Sequence, residues 1–306
     1  MKLNVRVVHS MHLAGYTQPW ELSLTGADVL RVVRELDALG FHKCGLGEHF
    51  LVPRAHVADH GDWYFHSATA LGCLAGATDH IRLWPTISIL PLQNPVVQAK
   101  AWSTLDWLSG GRAEVMFGLG WAKEEFAALN VSMEQRGRMA NEYLAAIIAL
   151  WTQEYPEFEG EFVQFRDLGF APRPVQQPLI PIWLAGDAEP VQKRVAKYAD
   201  GWSPAKIPPE EFPERLDFIK SQPEYDGRPI GIYFNFTLLN KGNHHAIPND
   251  PRETGYRNRQ AIIDQINWLA GLGVTETVVT LPPDLRDVEE YLDFQRWVAA
   301  EILPLV

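Results

Sequence analysis

His49, its neighbour Glu48, and the bare strand end Gly118-Leu-Gly120 are the residues of this chain whose types and spacing could do chemistry. Histidine titrates near neutrality, so an imidazole at a strand end can give or take a proton, or hydrogen-bond a developing oxyanion. A strand running from Ala113 to Phe117 loses its side chains at Gly118 and Gly120, which leaves floor space for a flat ligand. Trp20, Trp63 and Trp121 fall near the same strand ends and could line a substrate pocket.

Those residues need elements to hold them. Short β-rich runs alternate with helical segments along the whole length. The strands read as Leu3–His9, Lys43–Glu48, Ile81–Ile89, Ala113–Phe117, Ile180–Ala185, Gly201–Pro204, Ile230–Leu238 and Thr275–Thr280. The helices read as Gly26–Leu39, Phe65–Ala77, Pro95–Leu108, Met133–Trp151, Pro190–Tyr198, Pro209–Ser221, Gly255–Leu272 and Asp287–Ile302. Eight strand–helix units in one chain predict an α/β fold, a (β/α)8 TIM barrel spanning residues 1–306 as a single domain. A doubly wound sheet is the rival, but its first turn is Gly-rich, unlike His9-Ser-Met-His-Leu-Ala-Gly15. Two segments interrupt the pattern. One is an insertion before strand five, from Glu157 to Pro178 with Pro172 and Pro174; the other is a polar loop after strand seven, from Asn240 to Thr254.

Strand alternation assigns the faces. Gly45, Gly47 and His49 point into the barrel, opposite Cys44 and Leu46. Glu114, Met116, Gly118 and Gly120 also point inward, opposite Val115, Phe117 and Leu119. Asn4 and Arg6 share one face of strand one. A carboxylate inside a barrel needs a partner, and Arg6 is the one expected for Glu114.

Composition narrows the partners. With 27 Lys+Arg against 38 Asp+Glu, the net charge is -11, and no basic stripe carries interleaved aromatics. Nucleic acid and anionic membranes are therefore poor partners. No apolar run approaches transmembrane length and no signal-peptide core is seen, so the cytoplasm is expected. Cys44 and Cys73 lack metal-type spacing and read as two buried free thiols.

Gly40-Phe41, Gly45-Leu-Gly-Glu-His-Phe50, Ile89-Leu-Pro-Leu-Gln-Asn-Pro-Val96 and Leu105-Asp-Trp-Leu-Ser-Gly-Gly-Arg112 resemble the luciferase-like flavin-dependent monooxygenase superfamily. Pro178 to Trp183, Ala185-Gly186 and Ala199-Asp-Gly-Trp202 continue the likeness. Gly118-Leu-Gly-Trp-Ala-Lys-Glu-Glu-Phe126, Arg136-Gly-Arg138 and Leu150-Trp151 are similar to its deazaflavin-using branch. The resemblance implies reduced FMN or coenzyme F420 across the C-terminal mouth, with His49 as the active-site histidine. It implies a non-prolyl cis peptide at Thr86-Ile87 supporting the ring, and a phosphate beside Gly186 at a helix opening. Glu48, Thr86, Ile87, Gly118, Gly120, Gly186 and Asp187 would surround the cofactor, Glu48 holding the loop. Asp187 departs from the pattern, since a carboxylate repels phosphate; it either caps the helix facing away or weakens the site. No proton donor is carried over to Lys123 or Glu124.

Coenzyme F420 would imply a reductase or dehydrogenase. FMN would imply a monooxygenase of a two-component system, served by a separate flavin reductase. A non-catalytic flavin-binding relative is the third reading. Each takes a small, largely apolar organic molecule, and association through barrel helices into a homodimer is expected.

Blander readings stand beside these. His9, His12, His49 and Glu48 invite a metal-hydrolase reading, but His9-x-x-His12 has the wrong strand geometry, so no metal is expected. His60, His66, His244 and His245 read as solvated loop or helix-start residues. Glu124 and Glu125 favour a helix N-terminus. Trp102, Trp107, Trp151, Trp268 and Trp297 read as helix packing. Arg136 and Arg138 either reach a cofactor tail or lie on an ion-paired face.

Overall fold

Eight parallel strands close into a barrel in the computed structural model, which describes residues 1–235 and 247–306. They are β1 (Lys2–Arg6), β2 (Lys43–Leu46), β3 (Arg82–Ile89), β4 (Val115–Gly118), β7 (Ile182–Ala185), β8 (Gly201–Ser203), β9 (Gly231–Phe234) and β10 (Glu276–Thr277). Around the barrel the order is β1-β10-β9-β8-β7-β4-β3-β2. The expected insertion before the fifth barrel strand carries an antiparallel pair, β5 (Phe158–Glu159) and β6 (Gln164–Phe165). His244, His245, the end of the strand expected at Ile230–Leu238 and part of the loop after it lie outside the described residues.

The helices are α1 (Gly26–Ala38), α2 (Val57–His60), α3 (Ser67–Ala75), α4 (Pro95–Leu108), α5 (Lys123–Ala128), α6 (Arg136–Thr152), α7 (Glu189–Tyr198), α8 (Phe212–Lys220), α9 (Pro251–Thr254), α10 (Arg259–Gly271) and α11 (Val288–Glu301). Local chemistry sets several starts. Thr25 and Asp28 form a capping box on α1, Asn94 caps α4 ahead of Pro95, and Asp287 caps α11. The insertion is pinned to α6, because the Glu142 carboxylate accepts the amide hydrogens of Glu161, Phe162 and Val163. None of the described helices is long and apolar enough to cross a membrane.

The outward residues of the strands, among them Leu3, Val5, Cys44, Leu46, Val115 and Phe117, are buried under the helices in one continuous core. Inside the barrel Trp84, Met116, Trp183 and Tyr233 form a separate cluster. Interior glycines make room for it: a Cβ on Gly201 would lie 2.1 Å from the Trp183 ring, and one on Gly45 would lie 2.8 Å from Trp84 Nε1.

The pairing expected between Arg6 and Glu114 is not formed. Glu114 meets Lys43 at 2.5 Å and Arg82 at 2.5 Å, while Arg6 forks onto Glu21 at 2.6 and 2.8 Å. In the barrel, β2 and β3 stand between β1 and β4, so the nearer cations on those strands reach Glu114 first. Lys43 also contacts Glu276 at 2.8 Å, with its ammonium 4.4 and 4.3 Å from the rings of Trp84 and Trp183. Burial alone would raise the Glu114 carboxyl; Lys43 and Arg82 more than offset it and hold it below the usual range.

Candidate active site

The rim of the C-terminal mouth is built by the loops after β1 and β2, which zip together antiparallel. Met11 bridges Tyr64, the His12 amide bonds Trp63 O at 3.0 Å, and the Phe65 amide bonds Ser10 O at 3.0 Å. Trp63 stacks on His12 at 5.1 Å and donates from Nε1 to His9 O. Trp63 and Trp121 remain 44% and 39% exposed, as lining residues must. Trp20 does not join them. It is buried, bonded to Gln18 Oε1 and packed on Tyr291 at 5.5 Å, because the 3-10 turn Pro19–Ser23 folds it down into the core.

His49 stands at this mouth, edge-on to Tyr64 at 5.0 Å and to Trp121 at 5.6 Å. Its Nδ1 lies 2.9 Å from Glu125 Oε2, and Glu125 Oε1 accepts from the Phe50 and Leu51 amides at 2.6 and 3.2 Å. With the carboxylate as acceptor, Nδ1 carries the hydrogen, and Nε2 has no partner among the described residues. The His49 side chain keeps 11% of its surface accessible, while Glu125 is fully enclosed. Burial, then the Glu125 charge, push the Tyr64 phenol up to about 12, so it stays protonated beside the imidazole. Glu125 is the residue that reading the sequence missed. No local signal marks it: only in the folded chain do Glu125 and Phe126 take the buried side of the short α5, with Glu124 exposed.

Glu48 turns away from His49. One carboxylate oxygen meets Ser67 Oγ and its amide, and the other meets Ser88 Oγ at 3.1 Å and the Ile89 amide at 3.2 Å. It therefore ties the end of β2 to β3 and to α3. The Thr86–Ile87 peptide is cis, and the pairing of β3 with β4 slips between Thr86 and Ser88. The floor expected over Gly118 and Gly120 is not empty. A Cβ on Gly118 would lie 2.0 Å from Ile87 Cδ1, and one on Gly120 would meet Ile89 and Phe126 at 2.8 and 2.9 Å. The two glycines seat the side chains of the bulge, and half-buried Ile87 becomes the ledge.

Gly186 sits at φ +134°, its amide bonded to Ser203 O. Asp187 does not cap α7, whose N-cap is Ala188 with no side-chain bond. Its carboxylate instead accepts the amides of Ala205 and Lys206 at 2.8 and 2.9 Å, facing the loop after β8. Arg136 donates to Met133 O, and Arg138 pairs with Glu161 on the surface.

No group of three or more His, Cys, Asp or Glu among the described residues is arranged to hold a metal ion. His9 Nδ1 and His12 Nε2 face each other at 3.0 Å. Two packing expectations need correction: Cys73 is exposed, and Trp107 is 59% exposed on the outer face of α4. Cys44 is buried, which pushes its thiol up to about 12.

The family model described as luciferase-like monooxygenase matches residues 5–266. The chain belongs to this family. Among sequences similar to this luciferase-like chain, an uncharacterized Mycobacterium tuberculosis protein is 34% identical over 211 residues, 64% of this chain and 74% of that protein. An FMNH(2)-dependent dimethylsulfone monooxygenase of Pseudomonas putida is 27% identical over 176 residues, covering 56% of this chain and 48% of that protein. The coenzyme F420-dependent tetrahydromethanopterin reductase of Methanopyrus kandleri has the same fold, with TM-score 0.70, 16% identity, and 99% and 98% of the two chains covered.

Proposed function

We propose that this luciferase-like chain is an oxidoreductase that holds coenzyme F420 or FMN across its C-terminal mouth and acts on a small organic molecule. The observation carrying the reading is the His49–Glu125 pair: a fully enclosed carboxylate holds one imidazole nitrogen and leaves the other toward the ring-lined mouth. Dependence of a relative on FMNH(2), and of a structural neighbour on coenzyme F420, names the two candidate cofactors.

The residues present fit such a group. Ile87 offers a half-buried apolar ledge for a planar ring, backed by Gly118. The opening of α7, next to Gly186, is assigned to the phosphate; the Gly186 amide itself is held by Ser203 O. The Asp187 carboxylate is turned to the loop after β8, where two backbone amides hold it. Bound there, the cofactor would supply two-electron chemistry, with oxygen activation added in the FMN case. The chain supplies the rest. Glu125 fixes the His49 ring, and Nε2 accepts or returns the substrate's proton. Trp63 and Trp121 orient the substrate and shed water from it. Glu48 keeps β2 and the β3 bulge in register, so that His49 and Ile87 stay at one distance from each other. In the FMN case a separate reductase supplies the reduced cofactor.

The test is titration of the apo-protein with FMN and with coenzyme F420, followed by fluorescence. Saturable binding of one of them, with product formation that His49→Ala removes, is the expected result. Binding of neither overturns the proposal.

A further inference from the structure

The outer face of α7 carries positive charge that the fold leaves unbalanced. Val191, Val195 and Ala196 turn inward and are buried, which leaves Lys193 and Lys197 exposed, one turn apart. Like charges four residues apart on a helix repel each other. Neither lysine forms an ion pair among the described residues. Beside them a groove of about 470 Å³ runs between α6, α7 and the turn after α8. Asn141, Lys193, Arg194, Lys197, Tyr198 and Glu224 belong to its wall. Glu224 is the one acid there, against three cations, and it acts on Lys197 only at a distance. None of Glu48, Thr86, Ile87, Gly118, Gly186 and Asp187 lines the groove, so it lies apart from the residues assigned to the cofactor.

Arg194 anchors this wall and is only 8% exposed. Its Nε donates to Asn141 Oδ1 at 2.5 Å and its Nη2 to Gly137 O at 2.9 Å, both neutral acceptors. Burial holds the guanidinium below the usual arginine value, with only the Tyr198 phenol opposing. Nη1 donates to no described residue. It is not sealed off either, because the enclosed polar atoms without a partner include Nε of Arg136 and of Arg215 but not this nitrogen. The other space that Arg194 touches, beside Leu119 and Val191, is apolar and only about 10 Å³. Nη1 is therefore reached from the groove. Arginine only donates, so Asn141 is fixed with Oδ1 toward it, and Asn141 Nδ2 is left without a partner among the described residues.

That donor set selects a ligand. The Nε–Nη2 edge of Arg194, the fork that fits a carboxylate, is already occupied, and a single nitrogen remains. The two ammoniums are point charges with rotatable donors. A phosphate monoester, with roughly −1.5 to −2 charge at pH 7 and three acceptor oxygens, suits such a set better than a flat carboxylate. The net charge of -11 opposes docking on an anionic bilayer but not entry of one small ester.

We infer that the groove beside α7 is a binding site for the phosphate group of a small soluble phosphate monoester. Arg194 Nη1 and Asn141 Nδ2 donate to its oxygens, and Lys193 and Lys197 neutralise its charge.

Glycerol 3-phosphate, titrated into the full-length protein at constant ionic strength and followed by calorimetry, tests this against acetate. The expected result is saturable binding of the ester, about tenfold or more tighter than acetate, with inorganic phosphate competing for the same site. The double variant Lys193→Gln, Lys197→Gln alters only exposed side chains and should weaken binding about tenfold. Arg194→Met, where its melting curve shows a folded protein, should abolish binding; where it does not fold, the lysine variant decides alone. Lys123→Gln, on α5 at the mouth, should leave binding unchanged. The absence of saturable binding overturns the inference, as does equal affinity for acetate. So does binding that survives in the double lysine variant or is lost in Lys123→Gln, since either would place the ester elsewhere. Sedimentation with phosphatidic acid vesicles, without binding of the free ester, would assign the groove to a lipid surface instead and also overturns it. The test uses no redox cofactor, so its failure is separate from failure of the proposed activity.

Discussion

At the N-terminal end of the barrel, Lys43, Arg82, Glu114 and Glu276 neutralise one another beneath the rings of Trp84 and Trp183. At the C-terminal end a single carboxylate, Glu125, faces an imidazole whose other nitrogen has no partner among the described residues. The lower cluster balances its charges internally and is closed; the upper pair leaves one valence open toward the mouth. The difference separates charge that holds strands together from charge that is available to a reacting molecule, in one barrel and on the same strands. β2 alone contributes Lys43 to the first, and its continuation contributes His49 to the second.

The largest effect is expected at the closed end. Lys43→Met keeps the stem's volume but leaves Glu276 without its cation and Glu114 with only Arg82. Removing one partner of a buried pair costs about 3–5 kcal/mol, so urea unfolding should show a loss of that order. Turnover per folded molecule should stay near that of the parent. A variant of unchanged stability but lost activity would reverse the roles given to the two ends.

At the open end the effects should fall on rate. His49→Ala is expected to reduce cofactor-dependent turnover per folded molecule about a hundredfold or more. Glu125→Gln keeps an acceptor for the Phe50 and Leu51 amides but no longer obliges Nδ1 to carry the hydrogen. A loss of about tenfold in kcat, with KM nearly constant, fits a group that orients the imidazole. Nitrogen NMR of the His49 ring should show the single Nδ1–H tautomer of the parent giving way to a mixture. An unaltered ring spectrum in Glu125→Gln would mean that the carboxylate only supports the loop.

Most of the barrel was legible in the sequence, because each strand is a short run of alternating or β-branched residues bounded by turn residues. Pro95–Leu108 matches its helix end for end, since Asn94 and Pro95 announce the start. The last strand was expected over Thr275–Thr280 and covers only Glu276–Thr277. Alternation told which face Glu114 occupies, but not which strand stands beside it; that requires the order of closure, and so Arg6 was chosen over Lys43 and Arg82. Glu125 lies 76 positions from His49 along the chain. Nothing local distinguishes it from Glu124 as a helix-start acid until α5 is docked. Gly118 and Gly120 stand out in the sequence, but glycine reports only that something lies close, and Ile87, Ile89 and Phe126 do.

The last predicted effect concerns protons at the closed end. His42 flanks the lower cluster, 3.7 Å from Glu276. Burial first, then the charges of Lys43 and Lys2, push its imidazole down to about 3. In the unfolded chain the ring titrates near 6.5, so between these values the unfolded state binds a proton that the folded state refuses. Stability from this residue is therefore complete above about pH 6.5 and is lost progressively as pH falls toward 3, with a limiting slope of about 1.4 kcal/mol per pH unit. Glu114 and Glu21 are both held below the usual carboxylate range. They act in the same direction, but only below the unfolded carboxylate value of about 4.3. Urea unfolding of the parent and of His42→Gln between pH 6.5 and 4.5 isolates the histidine: the variant's stability should fall more shallowly, by up to about 1.4 kcal/mol per pH unit. Parallel curves would show that folded His42 takes up its proton and pairs with Glu276. The closed end would then exchange protons as the mouth is proposed to do, and the contrast between the two ends would fail.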